Sequence, residues 1–425
     1  MLRTYLRLLR DNRNYRLLWL AQVVSQTGDW FYALAVYNLL LNLTGNQAQS
    51  VGLAVVLQVL PHTLIAPATG ALNDRLSRKS VMIGADILRF LIVLGMLVVR
   101  TPEMVWLVYP LLCLETVGAA FFEPAHSAVI PNIVPPEDVL PANAWASITW
   151  SFCLAIGSSL GGVVAVLLGL DAVFAINAVS FLVSAWFIRQ MRFEEPHTAA
   201  LGPLRARDLV DFSPVIEGAR YIAADRRLLA TVFVKCGIGF IGANNVLLPI
   251  LGQREFPVAI GSLDAQRSAT LGMSLLMGAR GAGALIGPLI ANKLAGDRHS
   301  GLRTGILIGF VLGSAGYLLL GFSQSLILAI AAVIVAHGGS STNWVFSTTL
   351  LQLYTTDRFR GRVFAAEFGL CMLTISASSY LAGLAMDWGA PPRVVAMGIG
   401  AGMIFPVLGW TWALRKTGTE RSRHA

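Results

Sequence analysis

Four ionisable side chains sit inside long apolar runs: Asp29, Glu115, Lys235 and Arg280. A charge at bilayer depth costs about 3 kcal/mol on insertion scales, so each one is a functional candidate. Asp29 lies about 13 residues into an apolar run over 17–41, near the middle of a span. A carboxyl group there can take up and release a proton or hold a cationic group. Glu115, midway along the run 105–122, could share that proton or cation, or could be a packing acid paired with Arg89. Lys235 lies about two turns into the run 228–251, and Arg280 about halfway along 270–291. Either cation could pair with Asp29 or Glu115, or bind an anionic substrate; a lysine could also snorkel its amine toward water.

Other groups have simpler readings. Asp86 and Arg89 are three residues apart on one helical face and read as a structural pair. His62 and His337 could relay protons, but a lone histidine on an apolar face is usually a packed polar residue. Trp30, Phe31, Tyr32, Tyr37, Trp344 and Phe346 offer an aromatic wall for a cavity, or plain packing. Cys113, Cys153, Cys236 and Cys371 occur singly, with no C-x2-C pair, so neither zinc nor a disulfide frame is expected. No G-x4-G-K-[ST] stretch is present, and no nucleophile–base arrangement or metal-ligand spacing can be argued. Any work done must draw on an ion gradient or on the substrate's own gradient.

The elements that hold these residues follow from composition. The chain has 425 residues, 55% hydrophobic and 13% charged, with mean hydropathy +0.66. Soluble domains carry about 25% charged residues, so this is a membrane chain. A span needs about 20 apolar residues. Spans are expected near 17–41, 51–69, 81–99, 105–122, 144–168, 173–188, 228–251, 270–291, 304–322, 326–351, 363–386 and 394–414. The basic start reads as leading into an uncleaved first span. The net charge of +9 does not indicate nucleic-acid binding, because the cations sort by loop. With the amino terminus inside, cytoplasmic segments carry 25 Lys and Arg, external loops carry 4, and 3 remain within spans. That asymmetry puts both termini in the cytoplasm.

The polar stretch 189–227 divides the chain into an amino-terminal six-helix bundle (1–190), a cytoplasmic linker (191–227) and a carboxy-terminal six-helix bundle with a short tail (228–425). Weak internal similarity supports duplication. Arg16-Leu17-Leu18 answers Arg227-Leu228-Leu229, Ile65-Ala66-Pro67 answers Ile286-Gly287-Pro288, and Pro135-Pro136-Glu137 answers Thr355-Thr356-Asp357, at offsets of 211, 221 and 220. A Pro-rich loop with a short surface helix is expected between the fourth and fifth spans.

Between the second and third spans, Gly70 to Lys79 read G-A-L-N-D-R-L-S-R-K. Arg75, Arg78 and Lys79 pin this turn to the cytoplasmic face. Gly70 would let a neighbouring helix approach closely, and Asp74 could accept from arginines or from a helix N-terminus. The spacing G-x3-D-R-x2-R-K resembles the signature loop of the major facilitator superfamily. The stretch 15–30 (Y-R-L-L-W-L-A-Q-V-V-S-Q-T-G-D-W) looks like the first helix of that superfamily's macrolide-efflux and enterobactin-exporter branch. Phe121-Phe122-Glu123-Pro124-Ala125, Ala142-Asn143-Ala144 and Arg360-Gly361-Arg362-Val363-Phe364 carry the same likeness, which covers almost the whole chain. A second copy of the loop, Lys293-Leu294-Ala295-Gly296-Asp297-Arg298, is degenerate.

The resemblance implies an all-α integral membrane protein of twelve transmembrane helices in two pseudo-symmetric six-helix bundles. A central cavity would open alternately to either side, lined by the first, fourth, seventh and tenth helices. It makes Asp29 the expected proton-coupling or cation site, and the signature loop a gate that clasps the two halves. Glu367, near the start of the eleventh span, would sit by Arg75 as its partner. Gly157, Gly161 and Gly162 resemble the family's antiporter glycine set, although Ser158 stands where that set has proline.

The expected function is secondary active transport: a proton-coupled exporter of amphipathic small molecules of drug, macrolide or siderophore class, and not an enzyme. The alternatives are a lysophospholipid flippase and a membrane sensor or scaffold that transports nothing. The expected energy source is a proton gradient, with no cofactor. Expected partners are the amphipathic substrate and the lipid bilayer, without nucleic acid, for a monomer in a bacterial inner membrane.

Overall fold

The computed structural model describes residues 2–195, 206–261, 263–295 and 299–421, and the regular structure among them is helical. A short helix, α1 (Leu2–Asp11), leads into α2 (Arg13–Leu43), whose start is capped by Asn12 accepting from the Tyr15 amide. Next come α3 (Ala48–Leu64), α4 (Ala66–Asn73), α5 (Arg78–Gly95), α6 (Val105–Ile133), α7 (Val139–Leu168) and α8 (Leu170–Arg189). After them follow α9 (Ser213–Ala224), α10 (Arg226–Phe240), α11 (Asn244–Arg254), α12 (Ala265–Ala295) and α13 (His299–Phe322). The chain ends in α14 (Leu326–Tyr354), α15 (Asp357–Asp387), α16 (Pro392–Gly402) and α17 (Ile404–Arg421).

Ten helical stretches among the described residues are long and apolar enough to cross a membrane, and the bent pair α3–α4 makes an eleventh. The remaining expected span, α2, is long enough at 31 residues but is diluted by Gln22, Gln26, Asp29, Asn38 and Asn42. Two compact units result: Met1–Asn46 with Leu57–Asp211, and Gln47–Val56 with Phe212–Ala425. The first turns of α3 therefore belong to the second unit, which sequence division at residue 190 did not foresee.

In the first unit α2 packs on α7 and α8, and α5 on α6 and α8. Close packing of α7 on α2 depends on glycine: a Cβ at Gly157 would lie 2.9 Å from Trp30 Cβ, and one at Gly161 3.0 Å from Phe31 Cα. In the second unit α12 and α13 both pack on α14. Gly70 differs from expectation, since a Cβ there would meet nothing within 4 Å.

Three elements depart from the sequence reading. The second span bends by 50° between α3 and α4, where Pro67 in the first turn of α4 removes a backbone donor. The seventh span is interrupted by a 3-10 turn at Ile241–Ala243 between α10 and α11. Helix α6 runs through Pro110, Pro124 and Pro131 to Ile133, where a loop was expected from 123 onward. Prolines are tolerated in spanning helices because neighbouring groups re-satisfy the freed carbonyls.

The expected linker contains α9, which packs on α15. Its Tyr221 ring stacks on Phe359 with centroids 4.4 Å apart, and Glu217 pairs with Arg362 at 2.7 Å. Residues 196–205 of that linker, and Gly296, Asp297 and Arg298 of the degenerate second loop, lie outside the described residues.

The start of α3 is anchored within the second unit. Asp387, at the end of α15, accepts from the amides of Ala48 and Gln49 at 2.7 and 2.8 Å. A carboxylate on two free N–H groups at a helix start is favourable both as a cap and toward the helix dipole. Asp387→Ala is expected to cost about 1 kcal/mol through that lost cap. A fall in the apparent melting temperature of the detergent-purified protein would report it, and an unchanged melting temperature would remove the anchoring role.

Candidate functional site

Helices α2, α5 and α6 bring three ionisable side chains together. Arg89 of α5 donates through Nη2 to Asp29 Oδ1 at 2.8 Å. It also donates to Glu115 Oε1, through Nε at 2.8 Å and Nη2 at 2.6 Å. The sequence offered Arg89 as a partner for Asp86 or for Glu115; the structure has the Glu115 pairing and adds Asp29. Arg89 and Glu115 keep only 6% and 9% of their side chains accessible, whereas Asp29 keeps 32%. Asp29 is thus the accessible member of a mostly buried triad.

The packing around the triad is fitted to the guanidinium. Gly118, three residues beyond Glu115 on α6, leaves room for the Arg89 stem: a Cβ there would lie 2.7 Å from Arg89 Cγ. The Phe181 ring of α8 faces the guanidinium, with its centroid 4.1 Å from Cζ, an aromatic stabilisation of a desolvated cation. Gly28, beside Asp29, lets α2 close on Asn177 and Ser180 of α8. Asp86 is fully buried, neither of its carboxyl oxygens has a hydrogen bond in good geometry, and Ser184 and Arg89 are polar groups acting on it. His62, half-buried near the end of α3, is within electrostatic range of Glu115, Glu123 and Arg89.

The second unit holds the other candidates separately. Lys235 of α10 pairs with Glu367 of α15 at 2.9 Å, both almost fully buried, and its Nζ lies 4.2 Å from the centroid of the Trp344 ring. This corrects the sequence reading on both residues: Lys235 is matched to Glu367 and not to Asp29 or Glu115, and Glu367 serves this pair and not the signature loop. Arg280 of α12, read as a partner for Asp29 or Glu115 or as an anion-binding group, donates to Asn245 Oδ1 of α11 at 2.7 Å. His337 of α14 lies 2.9 Å from the Tyr317 hydroxyl of α13, both buried.

The interruption of the seventh span lies between Lys235 and Asn245, the residue that accepts from Arg280. Ser378 and Ser379 of α15 donate to the carbonyls of Gly239 and Gly242 at 2.7 and 2.8 Å. Asn245 Nδ2 also donates to Gly242 O at 2.9 Å. Side-chain hydroxyls and amides thus take the place of the lost helical bonds, as broken spans require.

The signature loop is organised within the first unit. Arg75 donates to Ala71 O at 3.0 Å and to Asp208 Oδ2 at 2.8 Å, so Asp208 holds the place expected for Glu367. Arg78 donates to Ala128 O at 2.8 Å, and Lys79 to Met191 O at 2.7 Å. Glu195 accepts from the Ser77 hydroxyl at 2.5 Å and from the Arg78 amide at 2.7 Å, capping α5. Asp74 is exposed and ends α4, without a side-chain hydrogen bond to another described residue. Sequence reasoning missed Glu195, Asp208 and the hub role of Arg89. The last had a signal: Arg89 is one of three cations left inside spans, and Gly118 follows Glu115 at helical spacing.

Relatives share this architecture. An uncharacterized MFS-type transporter of Bacillus subtilis, YfiS, is 26% identical over 282 residues, which span 64% of this chain and 64% of that protein. Macrolide efflux protein A of Streptococcus pyogenes is 25% identical over 56% of this chain and 58% of its own length. The putative bacilysin exporter BacE of Bacillus subtilis is 24% identical over 86% of each chain. A crystal structure of a peptide transporter, POT, in complex with alafosfalin superposes with a TM-score of 0.75 at 11% identity, covering 95% of each chain. The sequence profile of the Major Facilitator Superfamily matches residues 18–366, most of the spanning region, and the chain belongs to that superfamily.

Proposed function

We propose that this protein is a proton-coupled exporter of amphipathic small molecules that works by alternating access. The observation that carries the reading is the odd charge of the Asp29–Arg89–Glu115 triad. One guanidinium faces two carboxylates, and only Asp29 remains accessible. A single proton on Asp29 would balance the triad, leaving Arg89 paired with Glu115 alone. Release of that proton restores the second ion pair and ties α2 back to α5. Proton binding therefore changes which helices are held together, as coupling requires. His62 is the nearby group suited to pass the proton, and Asp86 a buried reserve carboxyl group.

Efflux-type relatives, a macrolide efflux protein and a putative bacilysin exporter, support the outward direction and the drug or macrolide substrate class. The exposed apolar surfaces of the spans and the loop distribution of cations support a multi-pass monomer in a bacterial inner membrane, both termini inside. The proton gradient supplies the energy, with no cofactor. The rival reading as a silent scaffold predicts acids fully neutralised by tight pairs; against it, Asp29 and Glu115 share a single guanidinium.

In proteoliposomes under an imposed pH gradient, one class among macrolides, lipophilic cations, catecholate siderophores and lysolipids is expected to drive proton movement. Asp29→Asn is expected to abolish proton movement while leaving substrate binding measurable. Proton flux that persists in Asp29→Asn would defeat the assignment, and lysolipid translocation without proton flux would transfer the function to a flippase.

The Lys235–Glu367 pair gives a separate expectation. Lys235→Met leaves Glu367 buried without its cation and is expected to destabilise by about 3 to 5 kcal/mol. Adding Glu367→Gln should recover most of the loss in apparent melting temperature. A double variant as unstable as the single one would show that the pair is not what holds α10 to α15.

A further inference from the structure

Beside the triad stands a third carboxyl group that makes no bond to the guanidinium. Asp86 lies three residues before Arg89, one turn away on the same face of α5, and is fully buried. Neither Oδ1 nor Oδ2 has a hydrogen-bond partner among the described residues. The Ser184 hydroxyl of α8 is within range of it, short of a well-formed bond, and is itself fully buried without a partner. Arg89, the nearest cation along the helix, directs its Nε and Nη2 to Glu115 and Asp29 instead.

An ionised carboxylate taken out of water needs a paired charge and hydrogen bonds, and a buried acid that lacks them gives up its charge. The groups around Asp86 offer no such compensation. On its own helix the guanidinium is already shared between two carboxylates, so an ionised Asp86 would be a third negative charge against one positive. Asp29 of α2 and Glu115 of α6 are like charges to it. Helix α8 brings Ser184, and the acid and base of that helix, Asp171 and Arg189, stand in its first and last turns. A neutral carboxyl group fits the same surroundings. Its O–H can donate to Ser184 Oγ, and two orphaned groups then satisfy one another.

We propose that Asp86 carries its proton, donates it in a hydrogen bond to Ser184 Oγ, and acts as a neutral positioning residue that leaves Arg89 to Asp29 and Glu115. An ionised Asp86, one turn away on the same helix, would compete for that guanidinium without any contact between helices. This role rests on the part proposed for Asp29 in coupling, but it is read without substrate or proton gradient, so either can fail alone.

The test uses the full chain in detergent at neutral pH. Infrared spectroscopy reads the carbonyl stretch of a protonated carboxyl group apart from the bands of carboxylates. The unaltered chain and Asp29→Asn are expected to show a band that Asp86→Asn lacks. Ser184→Ala is expected to move that band, because the bond to Oγ is gone. Thermal unfolding against pH gives a second readout of definite sign. An acid that is protonated when folded and ionised when unfolded makes the melting temperature fall as pH rises above about 4. That fall is expected to be shallower in Asp86→Asn, whereas an Asp86 ionised and paired in the folded state would make it steeper there. A band unchanged by Asp86→Asn, or a pH slope unchanged or steepened by it, would overturn the assignment. Should Asp86→Asn fail to fold, Ser184→Ala decides: a moved band upholds the role of Asp86 and an unmoved one removes it.

Discussion

The first unit is organised around one unequal electrostatic contact: a single buried guanidinium against two carboxylates on different helices. Charges removed from water must be paired and hydrogen-bonded, or the desolvation cost dominates. Arg89 meets that demand with three short hydrogen bonds and an aromatic face. The surrounding sequence is subordinate to it. Gly118 exists where any larger residue would strike the arginine stem, and Gly28, beside Asp29, lets α2 close on Asn177 and Ser180 of α8. These glycines, usually read as generic helix packing, here set where a charge can be held.

The second unit solves the same problem with even charge. Lys235 and Glu367 cancel one another, and Trp344 covers the ammonium. Arg280 has Asn245 among its acceptors, in the segment just past the break in the seventh span. That break is affordable because α15 presents two serines to the freed carbonyls. The two units therefore differ in charge parity: the first buries one guanidinium against two carboxylates, the second a matched ammonium and carboxylate.

Much of the architecture was legible in the sequence, because hydropathy and loop charge act over whole segments. Runs of about 20 apolar residues, and cations sorted by loop, survive an error of several residues at any helix end. The identities of the buried charges were legible for the same reason: Asp29, Glu115, Lys235 and Arg280 stand out against apolar neighbours. Their partners were legible only in part: Arg89 was among the readings for Glu115, but not for Asp29, and Glu367 was not foreseen for Lys235. A helix turns by about 100° per residue, so a pairing depends on the rotational phase and height of two helices at once. Glu367 illustrates the failure. Its place near the start of α15 suggested the signature loop, yet its side chain is committed to Lys235. Local spacing misled in the same way for Asp86 and Arg89, where a neighbour on the same helix lost to two acids across the interface.

The signature loop shows where motif reading and physics separate. Its cations each donate to a different acceptor, the backbone carbonyls of Ala71, Ala128 and Met191 and the carboxylate of Asp208. Glu195 caps the start of α5 from the segment that follows α8. A carbonyl lone pair is a weak competitor for a cation compared with a carboxylate, since hydrogen bonds between two ionised groups are the stronger kind. Arg78 and Lys79 are thus held by bonds that a better acceptor could displace. Arg75, already on a carboxylate, is held more firmly. A loop built this way has one cation on a carboxylate and two on backbone carbonyls, an asymmetry that the spacing itself does not reveal.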